Sequence, residues 1–265
     1  MISPIFKYLV RHLSGTKIAK NIFAVKTFYY LKSLLKEKHI TVNGDILYLD
    51  KFDSLSLSLN GYYEQKERDL IKNHIKPTDI IIDIGANIGY YTIFFSRIAA
   101  LVYAFEPDPT NYSLLIKNIQ ANKITNVIAE QKAVSNNNGV AYLELDKFNT
   151  AGNYITNKNT KTAIPVNMIK LDDYIQKADF IKMDIEGAET LALMGMKRIL
   201  ENPNLKMLIE YNPLGLKNFG VDPLEYLSLL SKYFTLVDIN EKKINIEQLA
   251  KSKEFTNLFC FKEKI

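Results

Sequence analysis

An apolar, β-branched run that ends in a carboxylate and turns at once through glycine leaves few folds open. Residues Ile80-Ile81-Ile82-Asp83-Ile84-Gly85-Ala86-Asn87-Ile88-Gly89 form such a run. A strand this uniformly apolar is buried on both faces, which is the environment of a parallel sheet. Tyr90-Tyr91-Thr92-Ile93-Phe94-Phe95 follows and reads as the start of a packed helix. A strand, a tight turn and a helix N-terminus in succession hold nucleoside-bearing cofactors, because glycine lets the backbone come close to the ligand. Twenty-one positions after Gly85, a second apolar run, Leu101-Val102-Tyr103-Ala104-Phe105, ends at Glu106-Pro107. An acid at that strand end is placed to accept both hydroxyls of a ribose.

Strand-like and helix-like segments alternate from there. Strands are expected at 80–84, 101–105, 127–132, 180–185 and 207–211. Helices are expected near 90–99, 109–122, 172–177 and 188–200. This alternation predicts an α/β fold of Rossmann-like type, a mixed sheet with helices on both faces. A hairpin over 40–60, turning at Asn43-Gly44-Asp45, and a helix from Tyr62 to about 75 precede it. After Pro213 come a helix at 224–233 and two strands, 235–239 and 256–261, expected to pair antiparallel. Between the third and fourth strands, 140–145 and 165–171 read as extra strands around a polar stretch, 146–163. A loop this long and polar in a compact domain reads as a substrate-facing lid. The expected organisation is a helical arm over 1–39 and a single domain over 40–265. Within it lie a cofactor half at 62–135, an inserted hairpin and lid at 136–171, and a catalytic and C-terminal half at 172–265.

Charge separates the arm from the body. Residues 1–40 carry eight Lys or Arg against Glu37, a balance of +7 in a chain of net +5, which leaves −2 for the rest. The body is therefore unsuited to wrapping nucleic acid. The arm's apolar stretches are interrupted by Lys7, Arg11, Lys20 and Lys26, so none reaches the ~20 residues of a membrane span. Ile18, Ile22, Val25, Tyr29 and Leu35 fall roughly on one helical face. The arm reads either as a helix docked on the domain or as an interfacial helix, with peripheral membrane contact through 1–38. A cytoplasmic protein, peripheral to the inner membrane face in the second case, is the expectation. Cys260 is the only cysteine, so disulfides within the chain are excluded, and its apolar setting reads as a core thiol.

The spacing Gly85-x-x-x-Gly89 differs from the G-x-G-x-x-G of dinucleotide binders, and no glycine is followed by lysine as a phosphate loop requires. Asp83 at the mouth of the turn opposes a pyrophosphate and suits an ammonium or a sulfonium. S-adenosylmethionine carries both and no phosphate. Its expected contacts are Asp83, Gly85, Ala86, Asn87, Gly89, Tyr90, Glu106, Pro107 and Asp184, the backbone of Lys132 and Ala133 at the adenine, and Glu64 at the ammonium group.

The pieces Gly61-Tyr62-Tyr63-Glu64, Asp83 to Tyr91, Phe105-Glu106-Pro107, Ala133-Val134-Ser135, Leu171-Asp172-Asp173 and Ile181-Lys182-Met183-Asp184-Ile185-Glu186-Gly187-Ala188-Glu189 occur in this order. Together they resemble the FkbM-type S-adenosylmethionine-dependent methyltransferases over residues ~40–212. The resemblance implies a seven-stranded class I methyltransferase sheet and O-methylation of a hydroxyl on a sugar, lipid or secondary metabolite. The acceptor would be a small molecule, glycan or glycolipid. A hydroxyl nucleophile needs a base or a metal. His12, His39 and His74 all precede the cofactor turn, so carboxylates at the fourth and fifth strand ends are the better candidates. Asp184 or Glu186 would act as base, with Lys182 and Glu210 beside them. Alternatively, Asp184, Glu210 and Asn212 would hold Mg²⁺ through hard oxygens. Two rival readings stand beside this one: a cofactor-binding adaptor without catalysis, and a nicotinamide-dependent dehydrogenase. The intact acid cluster at 184–189 opposes the first, and Asp83 with the glycine spacing opposes the second.

Overall fold

The computed structural model of the chain describes residues 30, 33–34, 36–146, 149–156 and 158–263. The apolar face expected of the arm (Ile18, Ile22, Val25, Tyr29, Leu35) lies outside them. The described chain opens with a hairpin, β1 (His39–Val42) and β2 (Asp45–Tyr48), turning through Asn43 and Gly44. Helices α1 (Leu57–Asn60) and α2 (Gln65–His74) follow. Then come β3 (Ile80–Ile84), α3 (Tyr90–Ser96), β4 (Leu101–Phe105), α4 (Pro109–Ala121) and β5 (Val127–Glu130). Strands β6 (Ala133–Val134), β7 (Gly139–Glu144), β8 (Tyr154–Thr156) and β9 (Ala163–Ile169) make the inserted segment. The chain continues through β10 (Phe180–Met183), α5 (Glu189–Met194), α6 (Lys197–Leu200), β11 (Lys206–Tyr211), α7 (Pro213–Asn218) and α8 (Pro223–Ser231). It ends with β12 (Thr235–Val237), α9 (Ile246–Lys251) and β13 (Thr256–Phe261).

Among the described residues the main sheet has seven strands in the order β12-β13-β11-β10-β3-β4-β5. Its five central and edge strands run parallel, and β13 lies antiparallel between β11 and β12, so the sheet is mixed as expected. Side chains alternate across it. Ile82, Ile84, Ile181, Met183, Ile209 and Cys260 join one core cluster, while Ile81, Phe180, Leu208 and Phe259 join the other. Cys260 is a buried, free core thiol. The same alternation puts Asp83, Lys182 and Glu210 on a single face at the C-terminal ends of three neighbouring strands, with Asp83 and Lys182 paired in register. The active end of the sheet is thus set by a period of two and by strand order.

Three helices begin where Asp or Asn precedes proline. Asp108 accepts from the N–H groups of Thr110 and Asn111, Asn212 from Gly215, and Asp222 from Leu224 and Glu225. In each case the polar side chain caps the helix and proline fills its first turn. The short helices α1, α7 and α9 are additions to the sequence expectation, and the hairpin expected over 40–60 ends at Tyr48, with α1 in the last part of that range.

Two expected helices come out differently. The segment 172–177 forms only a 3₁₀ turn at Leu171–Asp173, because the Asp172 carboxylate is turned to cap α6 through the N–H groups of Arg198 and Ile199 (3.0 and 3.2 Å). The helix expected over 188–200 breaks into α5 and α6 at Gly195. There the backbone lies so close to Ser135 that a Cβ would collide with its carbonyl oxygen. The stretch 146–163 is no featureless loop. It carries a 3₁₀ turn at Thr150–Gly152 and strand β8, part of a second, four-stranded sheet in the order β6-β9-β7-β8. The expected pairing of 140–145 with 165–171 forms as antiparallel β7 and β9.

Gly195→Ala is expected to destabilise the fold by about 2–4 kcal/mol, since backbone rather than a movable side chain must give way. Urea denaturation of the variant beside the parent chain measures it.

Candidate active site

The turn after β3 folds back over the end of β4. The N–H groups of Gly85 and Ala86 both donate to the Phe105 carbonyl at 3.0 Å. Gly85 is left-handed (φ 81°), and a Cβ there would strike the Asp184 carbonyl oxygen at the tip of β10. Only glycine lets these two strand ends close together. Asn87 is also left-handed (φ 53°), and its N–H donates to Glu106 Oε2 at 2.7 Å. Glu106 Oε1 accepts from the N–H of Asp108 at 2.9 Å. This carboxylate therefore ties the glycine turn to the start of α4, with lone pairs left over on each oxygen. Burial pushes its pKa up to about 8, against the pull of those two N–H donors.

These residues wall a cleft that is partly open to solvent. Asp83, Gly85, Ala86, Asn87, Tyr90, Glu106, Pro107, Lys132, Ala133, Lys182, Asp184, Glu186 and Glu210 all line it. Three expected residues do not. Gly89 caps α3 behind the wall, where a Cβ would press on Leu115 at 2.7 Å; its glycine serves packing. Glu64 accepts from the Tyr91 hydroxyl at 2.7 Å and from Asn257 Nδ2 at 3.3 Å. Asn212 uses Oδ1 to cap α7 (2.7 Å from the Gly215 nitrogen) and Nδ2 to hold Glu186 Oε2 at 2.7 Å. Its amide oxygen is therefore committed away from any cation, which removes it from the expected ligand set. The carboxylates that do converge are Asp184, Glu186 and Glu210, with oxygens within 4.8 Å of one another.

The stretch read as a substrate-facing lid does reach the cleft, through Thr150, Ala151, Asn153 and Ile155, none of which the sequence reading singled out. The lid is latched at its root. Asn153 Nδ2 donates to Asp108 Oδ2 at 2.7 Å, Asn111 Nδ2 to the Thr150 carbonyl at 3.3 Å, and the Thr150 N–H to Ser54 Oγ at 3.0 Å. The run of Asn and Thr in 149–153 was the available signal, since short polar side chains bond nearby backbone. His39 and His74 stay away from the cleft; His74 lies against Phe259 and beside Glu241 at 3.3 Å.

Lys182 organises the charges. Its side chain is only 6% exposed and its ammonium lies 2.9 Å from Asp184 Oδ2 and 5.0 Å from the Tyr91 ring. Burial alone would lower its pKa, but the carboxylates of Asp184, Glu64 and Asp83 outweigh burial and hold it above the ordinary lysine value. Asp83 is fully buried; Thr92 Oγ1 donates to its Oδ2 at 2.6 Å, while Oδ1 has no partner. Burial raises its pKa to about 6, with Lys182 opposing. Burial and then Asp184 raise Glu186 to about 7. Burial, then Asp184 and Glu186, raise Glu210 to about 10, and its Oε2 is buried without a partner. Glu189, read with Asp184 and Glu186 as part of the acid cluster after the fourth strand, does not line the cleft. Its fully buried carboxylate accepts from the N–H groups of Ile185 and Gly187 (3.3 and 3.1 Å), which fixes the left-handed Glu186 (φ 54°) between them.

A sheet of this order, with a glycine turn tied to an acid on the neighbouring strand, is the architecture of the class I methyltransferases. The family model described as Methyltransferase FkbM domain matches residues 83–234. The chain belongs to the FkbM methyltransferase family. Among its curated relatives, the hexuronic acid methyltransferase AglP of Haloferax volcanii is 28% identical over 174 residues, covering 64% of this chain and 68% of that protein. The tRNA(Phe) (4-demethylwyosine(37)-C(7)) aminocarboxypropyltransferase of Methanocaldococcus jannaschii is 33% identical over 103 residues, 37% of this chain and 40% of that one. The solved structure of Methyltransferase FkbM from Methylobacillus flagellatus KT shares 19% identity at a TM-score of 0.47, covering 71% of this chain and 44% of that one.

For this FkbM-family chain, the cleft fits S-adenosylmethionine on the structure's own terms. Backbone lies directly against backbone where Gly85 meets Asp184, so no side chain separates the ends of β3 and β10 in the floor of the cleft. The unpartnered Asp83 Oδ1 offers an acceptor to a cation or donor, and Glu106 offers its remaining lone pairs to vicinal hydroxyls.

The raised carboxyls carry a linkage consequence. A group whose folded pKa is raised stabilises fully below its unfolded pKa, near 4.5, and loses that contribution as pH climbs through the folded value. For Glu186 and Glu189 that value is about 7 and for Glu106 about 8. The ligand-free protein is therefore expected to melt at lower temperature at pH 8.5 than at pH 6. Glu106→Gln should flatten that slope, as read by thermal scans across pH. Lys182→Met should cost about 3–5 kcal/mol in denaturant titration, because it strands the carboxylates around it.

Proposed function

We propose that the protein is an S-adenosylmethionine-dependent O-methyltransferase acting on a carbohydrate hydroxyl, free or lipid-linked, with Glu186 as the general base. The observation that carries this reading is the carboxylate cluster at the tips of β10 and β11, beside the cofactor turn. When bound, the cofactor supplies a methyl group on a cationic sulfur. The chain's task is to hold the acceptor oxygen in line with it and to take the oxygen's proton.

Glu186 suits the proton's removal. Its pKa of about 7 lies near working pH, where a base is most effective. Asn212 and the Glu189-braced loop hold it in one orientation. Glu210, raised to about 10, keeps its proton at neutral pH and orients the acceptor by hydrogen bonding. Asp184, fixed by Lys182, sets the local field. A Mg²⁺ ion on Asp184, Glu186 and Glu210 has less support. Asn212 supplies no oxygen, and the Lys182 ammonium already stands beside Asp184.

The name of the AglP relative, a hexuronic acid methyltransferase, supports a carbohydrate acceptor over a nucleic acid. So does the −2 balance of residues 41–265. No helix among the described residues is long and apolar enough to cross a membrane. For a lipid-linked acceptor, the basic residues of 1–38 would meet an anionic membrane surface.

Calorimetry with S-adenosylhomocysteine should show stoichiometric binding, weakened tenfold or more in Glu106→Gln. Glu186→Gln should lose about 10²–10⁴ in kcat while keeping that affinity. Turnover should survive a chelator. A protein that ignores both the methyl donor and its demethylated product, or a Glu186→Gln variant of full activity, overturns the assignment.

A further inference from the structure

Glu64 does not line the cleft, but its neighbour Tyr63 does. Tyr63 belongs to a short strap between α1 and α2 whose backbone is left-handed at both ends, at Gly61 (φ 78°) and at Glu64 (φ 44°). The strap is clamped from α3, the helix that follows the glycine turn. Tyr90 Oη accepts from the Tyr63 N–H at 3.1 Å and donates to the Tyr63 carbonyl at 2.7 Å, so one hydroxyl holds both backbone polar groups of one residue. Arg68 Nη1 donates to the same hydroxyl at 2.9 Å, and its guanidinium lies over the Tyr90 and Phe94 rings. The Tyr63 and Tyr90 rings meet edge to face, 5.8 Å apart. A residue held at backbone and ring presents its side chain in one direction.

The far end of Tyr63 is held as well. The Glu64 carboxylate accepts from the Tyr91 hydroxyl at 2.7 Å, from Asn257 Nδ2 at 3.3 Å and from the Tyr63 hydroxyl. Burial, then Glu64, Asp184 and Glu210, push the Tyr63 pKa above the ordinary tyrosine value, so it stays a neutral hydroxyl. A phenol has one proton to give, and this one goes to Glu64; its lone pairs remain for a donor. On the same wall stands Asp83, whose buried Oδ1 is also unpartnered.

The order of the strands says which donor comes there. Lys132 and Ala133 follow β5, Glu106 ends β4, and Asp83 lies on β3. A nucleoside with its base beside β5 and its ribose at Glu106 directs its 5′ substituent toward β3 and β10. In S-adenosylmethionine that substituent ends in an amino acid. We propose that Tyr63 is a cofactor-binding residue whose hydroxyl accepts from the ammonium group of this tail, beside Asp83, with Glu64 acting through it as a positioning residue. The proposal rests on the S-adenosylmethionine reading above and assigns one contact within it.

Calorimetry on the full chain tests it with three ligands: S-adenosylhomocysteine, its analogue lacking only the amino group, and methylthioadenosine, which lacks the whole tail. Failure of the parent chain to bind any of them counts against the cofactor reading itself. Loss of the amino group should cost the parent about tenfold or more in affinity. Tyr63→Phe should bind S-adenosylhomocysteine about tenfold more weakly and lose most of the preference for the amino group. Glu64→Gln, which leaves the tyrosine in place, should erode the same preference by about threefold or more. Methylthioadenosine should bind the parent and both variants within about twofold. A Tyr63→Phe variant that keeps the full preference overturns the proposal. So does one that loses methylthioadenosine in step with the other ligands, because the tyrosine then serves the fold alone. An unchanged preference in Glu64→Gln overturns the positioning role.

Discussion

The ammonium of Lys182 is the charge around which this molecule is arranged. It stands in the middle strand of the sheet, almost wholly out of water, and carboxylates approach it from three directions. A buried cation is tolerable only when it is paired and hydrogen-bonded. That single requirement explains why Asp83 ends one neighbouring strand, why Asp184 follows on its own strand, and why Glu64 sits beyond the Tyr91 ring. The floor of the cleft is an ionic knot before it is a binding site.

Around that knot, burial and mutual repulsion do the tuning. Asp184 repels Glu186 and Glu210, so the three acids cannot all stay ionised together. The strained backbone at Glu186 is held by Glu189 from behind and Asn212 from the side. Neither brace faces the cleft, yet both decide where the Glu186 carboxylate points. The nearby glycines contribute in another way: Gly85 and Gly187 let the ends of β3, β10 and α7 pass within contact of each other, and side chains would hold them apart.

Much of this was legible in the residues. The isoleucine run at 80–84, the Glu106-Pro107 step and the paired final strands gave the seven-stranded mixed sheet, its parallel core and its active edge. Asp83, Asp184, Glu186 and Glu210 were readable because acids rarely end apolar strands without a reason. What was illegible depends on distant partners. Nothing near Gly195 announces that Ser135 will press against it and break a helix. Asp172 looks like a helix former until it is seen capping α6. Asn212 offers a plausible ligand oxygen until Gly215 claims it. Gly89 and Glu64 match the motif, but the first serves packing and the second a tyrosine. That the 146–163 stretch faces the cleft was legible, but its mooring was not, because its tethers, Ser54 and Asp108, lie far from it in the chain. The start of α7 was present as Asn212-Pro213, but six residues are too short to show a helical period.

The latch at Asp108 has a consequence for how such a scaffold changes over generations. One oxygen of this carboxylate starts α4, while the other grips Asn153. The inserted segment is thus moored at its base, next to the nucleoside floor, and its outer reaches are exposed. Chain beyond the mooring can lengthen, shorten or change its side chains without loosening the floor. Variation in that outer stretch can therefore accumulate over generations while the geometry of the inner wall is kept.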